Sequence, residues 1–203
     1  MKRLLLMAAL TMGASACVDG NEPIMILGTT PVGPDCAPLS GPVPLSGRLV
    51  VGTDTFITSF NIASSLPAKT GASGERNDFY GEELILSYRT ENQKPAINFE
   101  DESLPISFFI PVGGASNVLV LDVIGNAAKV KIKGVPRQEN PPKDEIPGMK
   151  EGSTLFVTVK LKGKTSAGGS VESNEATYPI QIVGVCENSP TAGDGACSNP
   201  NQC

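Results

Sequence analysis

The stretch that decides the fold class is Thr154-Leu155-Phe156-Val157-Thr158-Val159-Lys160-Leu161-Lys162. Every second position from Leu155 to Leu161 is aliphatic, and the positions between them are mostly polar or charged. Successive side chains of a β-strand point to opposite faces, so this alternation predicts a strand with one buried face. Phe156 is the aromatic exception on the outward-facing side, and we expect it to contact a second layer or a protein interface.

The same period of two recurs through the middle of the chain and predicts further short strands. It is regular at residues 128–133, where Ala128, Val130 and Ile132 alternate with lysines. The other predicted strands are residues 49–51, 55–62 (Phe56, Phe60 and Ile62 inward), 82–89 (Leu84, Leu86 and Tyr88 inward), 106–110, 118–124 and 176–185. Because proline cannot donate to a ladder, Pro179 predicts that the last strand lies at an edge or end. Turns rich in Gly, Pro and Asn, without a helical period, predict an all-β fold, an antiparallel β-sandwich.

Residues 154–162 and 176–182, joined by residues 163–175, resemble the closing hairpin of fibronectin type III and related immunoglobulin-like domains. The matching residues are the alternation at 155–159, the Gly-Ser-rich loop at 168–170, and Val171-Glu172-Ser173-Asn174-Glu175 before the last strand. The resemblance covers about 30 residues and implies an immunoglobulin-like sandwich. The chain lacks the inward tryptophan usual in that family, and the loops at 64–78 and 136–152 are long for it.

A short leader precedes the strand-rich region. Lys2 and Arg3 come first, an apolar run occupies residues 4–12, and small residues lead to Ala16. This order is that of a secretory signal, and the apolar run is less than half of the roughly 20 residues that a transmembrane helix needs. Cleavage after Ala16 as an ordinary soluble secretory signal is one interpretation, because Ala14 and Ala16 fit the usual A-x-A pattern.

The residues Ala14-Ser15-Ala16-Cys17 resemble the lipobox of a bacterial lipoprotein signal peptide. The resemblance implies that Cys17 is diacylated on sulfur and acylated on its freed amine, so that its acyl chains anchor the protein to a membrane. Stable anchoring requires about two chains, which this modification supplies. Val18, rather than Asp, follows the cysteine, which favours the outer membrane of the cell envelope.

The composition predicts four segments. Residues 1–16 are the signal peptide, 17–46 the lipidated cysteine and a Pro/Gly-rich tether, 47–186 the β-sandwich domain, and 187–203 an irregular tail. Closely spaced prolines in 17–46 disfavour both helix and sheet. As an alternative, residues 24–27 and 42–45 lie along the domain as an edge strand.

With Cys17 assigned to lipid, the remaining cysteines are Cys36, Cys186, Cys197 and Cys203. An even number in an exported chain predicts disulfides, with three possible connectivities. We favour Cys36 with Cys186, which bracket the strands, and Cys197 with Cys203, which enclose a turn. Metal binding is the alternative, but no C-x-x-C spacing and no histidine support it.

Composition also excludes several kinds of chemistry. Removing residues 1–16 takes away Lys2 and Arg3, which leaves 14 of 16 Lys and Arg against 21 Asp and Glu, a formal charge of −7. An acidic chain does not favour nucleic-acid binding. The absence of histidine removes the usual catalytic triads and zinc sites. The acidic runs 100–102 and 144–145 lack the spacing of a calcium loop. We therefore predict no catalytic residue, no metal site and no cofactor.

Lysines form the most distinctive predicted surface. Lys129, Lys131 and Lys133 would share one face of a strand, and Lys160 and Lys162 one face of another. If those strands were neighbours, the ammonium groups would form a face for an anionic partner, although outward lysines also keep sheets soluble.

Two functions remain open. The first is a noncatalytic envelope lipoprotein whose sandwich binds a protein or glycan. The second is an accessory subunit of a larger envelope assembly, for which we expect an apolar patch around Phe156 or around Val118 and Val120.

Overall fold

The computed structural model describes residues 22–33, 37–38, 46–67, 77–112, 117–136, 138–139, 142–143 and 145–184. This part of the chain is mostly β-structure, in two main sheets that are mostly antiparallel, an arrangement compatible with a β-sandwich. The elements are β1 (Ile24–Pro31), β2 (Gly47–Val50), β3 (Ile57–Ser64), β4 (Phe79–Glu91), β5 (Glu102–Ile110), β6 (Asn117–Asp122), α1 (Asn126–Lys133), β7 (Gln138–Glu139), β8 (Pro142–Lys143), β9 (Thr154–Thr165), β10 (Ser170–Glu172) and β11 (Ala176–Val183).

The larger sheet has the order β2–β11–β9–β4–β5, and β10 pairs with β9. Its pairs are antiparallel except for β2 with β11, which is parallel. The smaller sheet has the order β1–β3–β6 with antiparallel pairs. Strands β7 and β8 form a separate short ladder.

One hydrophobic core joins the two sheets, because its buried side chains come from both. The predicted inward faces are confirmed in β9 at Leu155, Val157, Val159 and Leu161, which are almost fully buried. They are also confirmed at residues 56–62 and in β4, where Phe56, Phe60, Ile62, Leu84 and Leu86 are buried and Tyr88 packs partly buried against the core. Burying one such side chain contributes about 1.5–3 kcal/mol to folding, so these alternating positions direct the two sheets together.

The predicted strand at residues 128–133 is wrong, because Asn126–Lys133 forms helix α1. Ala128 and Ile132 are four residues apart, so they share one helical face, and both are buried, whereas Val130 is 46% exposed. The Glu102 carboxylate accepts hydrogen bonds from the N–H groups of Ala127 and Ala128 at the start of the helix. Buried residues at 128 and 132 are compatible with the two-residue period of a strand and with the 3.6-residue period of a helix. The helix is favoured because Glu102, a residue distant in sequence, caps its first turn.

The predicted edge position of the last strand is also wrong, since β11 lies between β2 and β9. Pairing with β2 begins at Ile180, one residue after Pro179. Pro179 is paired with Phe156 on the β9 side, so the proline lies beyond the ladder that β2 forms.

The segment before the predicted domain includes a strand. Ile24–Pro31 is β1, at an edge of the smaller sheet, which agrees with the edge-strand alternative for residues 24–27. Residues 42–45, the other part of that alternative, lie outside the described residues. The Asn174 side chain accepts from the Ile26 N–H and donates to the Ile26 carbonyl. This amide joins the start of β1 to the segment before β11.

Candidate functional site

A β-bulge shapes the outer face of the larger sheet, the face that points away from the core. Against β9, Gly81 pairs with Gly163 and Glu83 with Lys162, so Glu82 is the inserted residue. The pairing with β5 also shifts at this point, where Ile106 and Ser107 of β5 lie opposite Glu82. Gly163 lies opposite Gly81, and a Cβ atom there would overlap the carbonyl oxygen of Tyr80. The bulge therefore requires glycine at 163, and it brings Glu82 and Glu83 onto the surface beside the lysines of β9.

The lysines of β9 are paired with carboxylates. Lys160 Nζ lies 2.5 Å and Lys162 Nζ 3.3 Å from the carboxylate of Glu172 on β10. Lys164 Nζ lies 3.0 Å from the Glu82 carboxylate. Hydrogen bonds from these ammonium groups lower the pKa of Glu172, and the bond to Glu172 raises the pKa of Lys160, so both groups stay charged.

The structure does not bring the two predicted groups of lysines together. The lysines of α1 are engaged separately: Lys129 with Asp122 at 2.8 Å, Lys131 with the Asn98 carbonyl oxygen at 2.7 Å, and Lys133 with Asp54 at 3.8 Å. Helix α1 packs its buried side chains into the core, whereas Lys160 and Lys162 alternate with core residues of β9 and face outward. The two groups therefore lie on different elements, and the condition for a joint cationic face, two neighbouring lysine-bearing strands, is not met.

A shallow, open groove of 260 Å³ lies over the bulge, lined by Glu82, Glu83, Lys162, Gly163, Lys164, Ser170, Val171 and Glu172. It is smaller than the roughly 300–1,000 Å³ typical of small-molecule sites. Its charges are largely balanced within the protein, since Lys162 pairs with Glu172 and Lys164 with Glu82. Glu83 accepts a hydrogen bond from the Ser103 hydroxyl. The groove is therefore suited to contact with a polar surface and offers little enclosure to a small ligand.

Two exposed aromatic side chains border this groove. Tyr80 on β4 and Phe109 on β5 are direct cross-strand partners, with ring centroids 5.2 Å apart and planes tilted by 48°. Their exposures are 46% and 47%. Lys164 pairs with Tyr80 on the other side. We call Tyr80, Phe109, Lys164 and Glu82 the aromatic surface.

The aromatic surface was not predicted from the sequence. The predicted strand begins at residue 82, within the bulge, so Tyr80 was not assigned to either face of a strand. Phe108-Phe109 carried a usable signal, because consecutive residues of a strand point to opposite faces and one of two adjacent aromatics must face outward.

Of the two apolar patches expected for an assembly subunit, the one around Val118 and Val120 is exposed and the one around Phe156 is covered by a neighbouring side chain. Phe156 is covered on its outer side by Arg89, whose guanidinium carbon lies 4.1 Å from the ring centroid. Val118 and Val120 on β6 are 44% and 37% exposed. An exposed apolar pair is therefore found on β6, and Phe156 contributes to the surface together with its cationic neighbour.

The remaining predicted site residues, Cys17, Cys36, Cys186, Cys197 and Cys203, lie outside the described residues. In the parts of the chain that the structure describes, no cluster of three or more His, Cys, Asp or Glu side chains is arranged to hold a metal ion. The helices of those same parts include none with the length and apolarity to cross a membrane. No protein-family model matches the chain, and no curated protein matches it.

Proposed function

We propose that this chain is a noncatalytic lipoprotein of the bacterial cell envelope, anchored by acyl chains on Cys17, whose β-sandwich binds a partner protein through the aromatic surface. The leader that ends in Ala14-Ser15-Ala16-Cys17 supports the anchor. Two or more acyl chains suffice for stable membrane attachment, and the outer membrane is the proposed location because Val18 follows the cysteine. The proposed sandwich is of the immunoglobulin-like type, with disulfides Cys36–Cys186 and Cys197–Cys203.

The exposed pair Tyr80 and Phe109 is the observation that carries the binding function. An aromatic side chain offers about 150–250 Å² of surface, and nearly half of each residue remains open to water. Covering both rings would contribute on the order of 4 kcal/mol to association. Interfaces place aromatic residues at the centre and charged groups at the rim. Lys164 and Glu82 supply such a rim.

The geometry of the rings favours a protein over a glycan. A sugar stacks on a flat aromatic face, and two coplanar rings make a longer platform. Here the rings are tilted by 48° against each other, which forms a wedge. A wedge fits a protruding side chain of a protein, and the balanced charges of the groove fit the polar groups around it.

The double variant Tyr80→Ala/Phe109→Ala tests this function. We expect full-length tagged protein, cross-linked in cells and recovered from detergent-solubilised membranes, to capture a specific envelope protein. With the double variant, the amount of that protein recovered should fall at least about tenfold, because truncating aromatic hot spots typically lowers binding affinity by at least that factor. Quantitative mass spectrometry of the captured proteins provides the measurement.

Leu27→Ala is the matched control, because Leu27 is 60% exposed and lies on the other sheet. It should capture the partner as the unaltered protein does, and thermal melts should show all proteins folded. Equal capture by the folded double variant and by the control would refute binding through the aromatic surface.

An accessory subunit of an envelope assembly is the second candidate, and the exposed pair Val118 and Val120 favours it. A subunit is recovered in a fixed stoichiometric ratio with its neighbours after gentle detergent extraction. Recovery of substoichiometric, exchangeable partners instead distinguishes the binding protein from the subunit.

A further inference from the structure

Strand β6 is an edge strand that lacks the features by which proteins usually prevent an edge from pairing with another chain. The edge strands β1, β2 and β5 each have a feature that disfavours such pairing. Strand β1 contains a bulge, and its Ile26 N–H is bonded to the Asn174 side chain. Strand β2 is only four residues long, and β5 contains Pro105. In contrast, β6 has neither proline nor lysine, and Asn117-Val118-Leu119-Val120-Leu121 is uncharged. In the described part of the chain no strand pairs with its outer side. An edge of this kind is a template for another strand.

The register shows which main-chain groups point to that outer side. Val123 donates its N–H to the Phe56 carbonyl oxygen, and the pairing continues without a shift from Ile57–Asp122 to Ile62–Asn117. Residues that hydrogen-bond to one neighbour alternate with residues that face the other side in an antiparallel ladder. Leu119 and Leu121 therefore bond toward β3, whereas Val118 and Val120 direct N–H and C=O groups outward.

The side chains of these same two residues are exposed. Val118 and Val120 lie on the outer face of the smaller sheet, while Leu119 and Leu121 pack against the core. The one charged residue of β6, Asp122, is occupied within the chain, because its carboxylate accepts from the N–H groups of Phe56 and Ile124 and binds Lys129. As far as the described residues show, the outward main-chain groups of Val118 and Val120 thus form an uncharged edge with two exposed valine side chains beside it.

We propose that β6 pairs antiparallel with β6 of a second copy of this chain, around a two-fold axis at Leu119. In that register Val118 lies opposite Val120 of the second copy, so every outward N–H and C=O of these two residues is bonded. The valines of both copies form one apolar cluster on the joined sheet. The two Asp122 residues lie at opposite ends of the paired segment, so no like charges meet.

The self-complementary register argues for a second copy as the occupant. An uncharged strand whose outward residues are both valine matches itself in the antiparallel direction, and a two-fold contact uses both edges and closes the assembly. The aromatic surface belongs to the other sheet. Dimer formation and partner binding therefore use separate surfaces and can fail separately.

Val120→Pro is the direct test. Because the Val120 N–H points away from β3, proline there removes an outward donor from each copy and leaves the ladder within the chain intact. We expect full-length protein in detergent to give a dimer by native mass spectrometry, and the variant to dissociate about tenfold more readily or more. Amide exchange at residues 117–122 should slow as protein concentration rises, and in Val120→Pro it should not.

Val120→Lys is a second variant that places like charges beside one another in the proposed pair, and it should give monomer. Val130→Lys is its matched control, because Val130 is exposed to a similar extent, 46% against 37% for Val120, but lies on α1, and this variant should remain a dimer. A monomeric unaltered protein would overturn the proposal. So would a dimer that both Val120 variants leave as stable as before. Capture of an envelope partner tests the aromatic surface alone.

Discussion

At the scale of single residues, Tyr88 shows how buried polar atoms connect the elements. Its hydroxyl accepts a hydrogen bond from the Gly125 N–H at 2.8 Å and donates to the Val123 carbonyl oxygen at 3.3 Å. Burial raises the pKa of this hydroxyl well above its ordinary value of 10.0, and the carboxylates of Glu102 and Asp122 add to the rise. The hydrogen bond from Gly125 opposes it. The hydroxyl thus stays neutral and fixes the turn before α1 to β4.

Tyr88→Phe should destabilise the protein by about 1–3 kcal/mol near neutral pH, because the buried Gly125 N–H loses its acceptor. The variant should also be less sensitive to alkali. Above pH 10 the unfolded tyrosine releases its proton while the folded one retains it, so the unfolded state binds fewer protons and stability falls as pH rises. Urea unfolding at several pH values between about 8 and 11 measures both effects. An identical alkaline slope in the two proteins would contradict this account of Tyr88.

At the scale of elements, the bulge in β4 and the helix α1 show what local sequence can and cannot specify. The alternation of apolar and polar residues was enough to predict the buried faces of β9, β3 and β4, because successive side chains of a strand point to opposite faces. It failed for α1, since the cap of its first turn comes from Glu102, which is 25 and 26 residues distant from Ala127 and Ala128. The sequence pattern did not predict the bulge either, and it therefore did not predict on which face of β4 Tyr80 lies.

Gly163→Ala tests the bulge. The added methyl group would overlap the Tyr80 carbonyl oxygen and approach Phe79, so β9 must separate from β4. We expect a loss of about 1–3 kcal/mol in the free energy of unfolding, measured by urea denaturation.

Gly169→Ala is the matched control for the bulge, because a Cβ atom there meets only the Thr165 hydroxyl at 3.5 Å, an ordinary contact. It should leave stability almost unchanged. Equal stability of the two alanine variants would mean that the close approach of β9 to β4 is not needed.

At the scale of the whole molecule, the fold class could be predicted from the sequence, whereas the arrangement of the exposed surfaces could not. An all-β chain with one core followed from periodicity, and the two sheets carry that core. The two groups of lysines belong to different elements, helix α1 and strand β9, so the neighbouring strands on which a joint face depended are not present. The aromatic surface and the position of β6 at the edge of the described smaller sheet depend on pairing between distant strands, which no local pattern encodes.

Central to the proposed function is a lipid anchor on Cys17 that attaches the β-rich domain to the membrane. Intact-mass analysis of the membrane-extracted protein, compared with Cys17→Ala, tests it most directly. We expect a chain that begins at Cys17 and carries the added mass of two or three acyl chains. In Cys17→Ala the added mass and the membrane attachment should both be lost. A chain without acyl mass, or a Cys17→Ala protein that stays in the membrane as before, would contradict the claim.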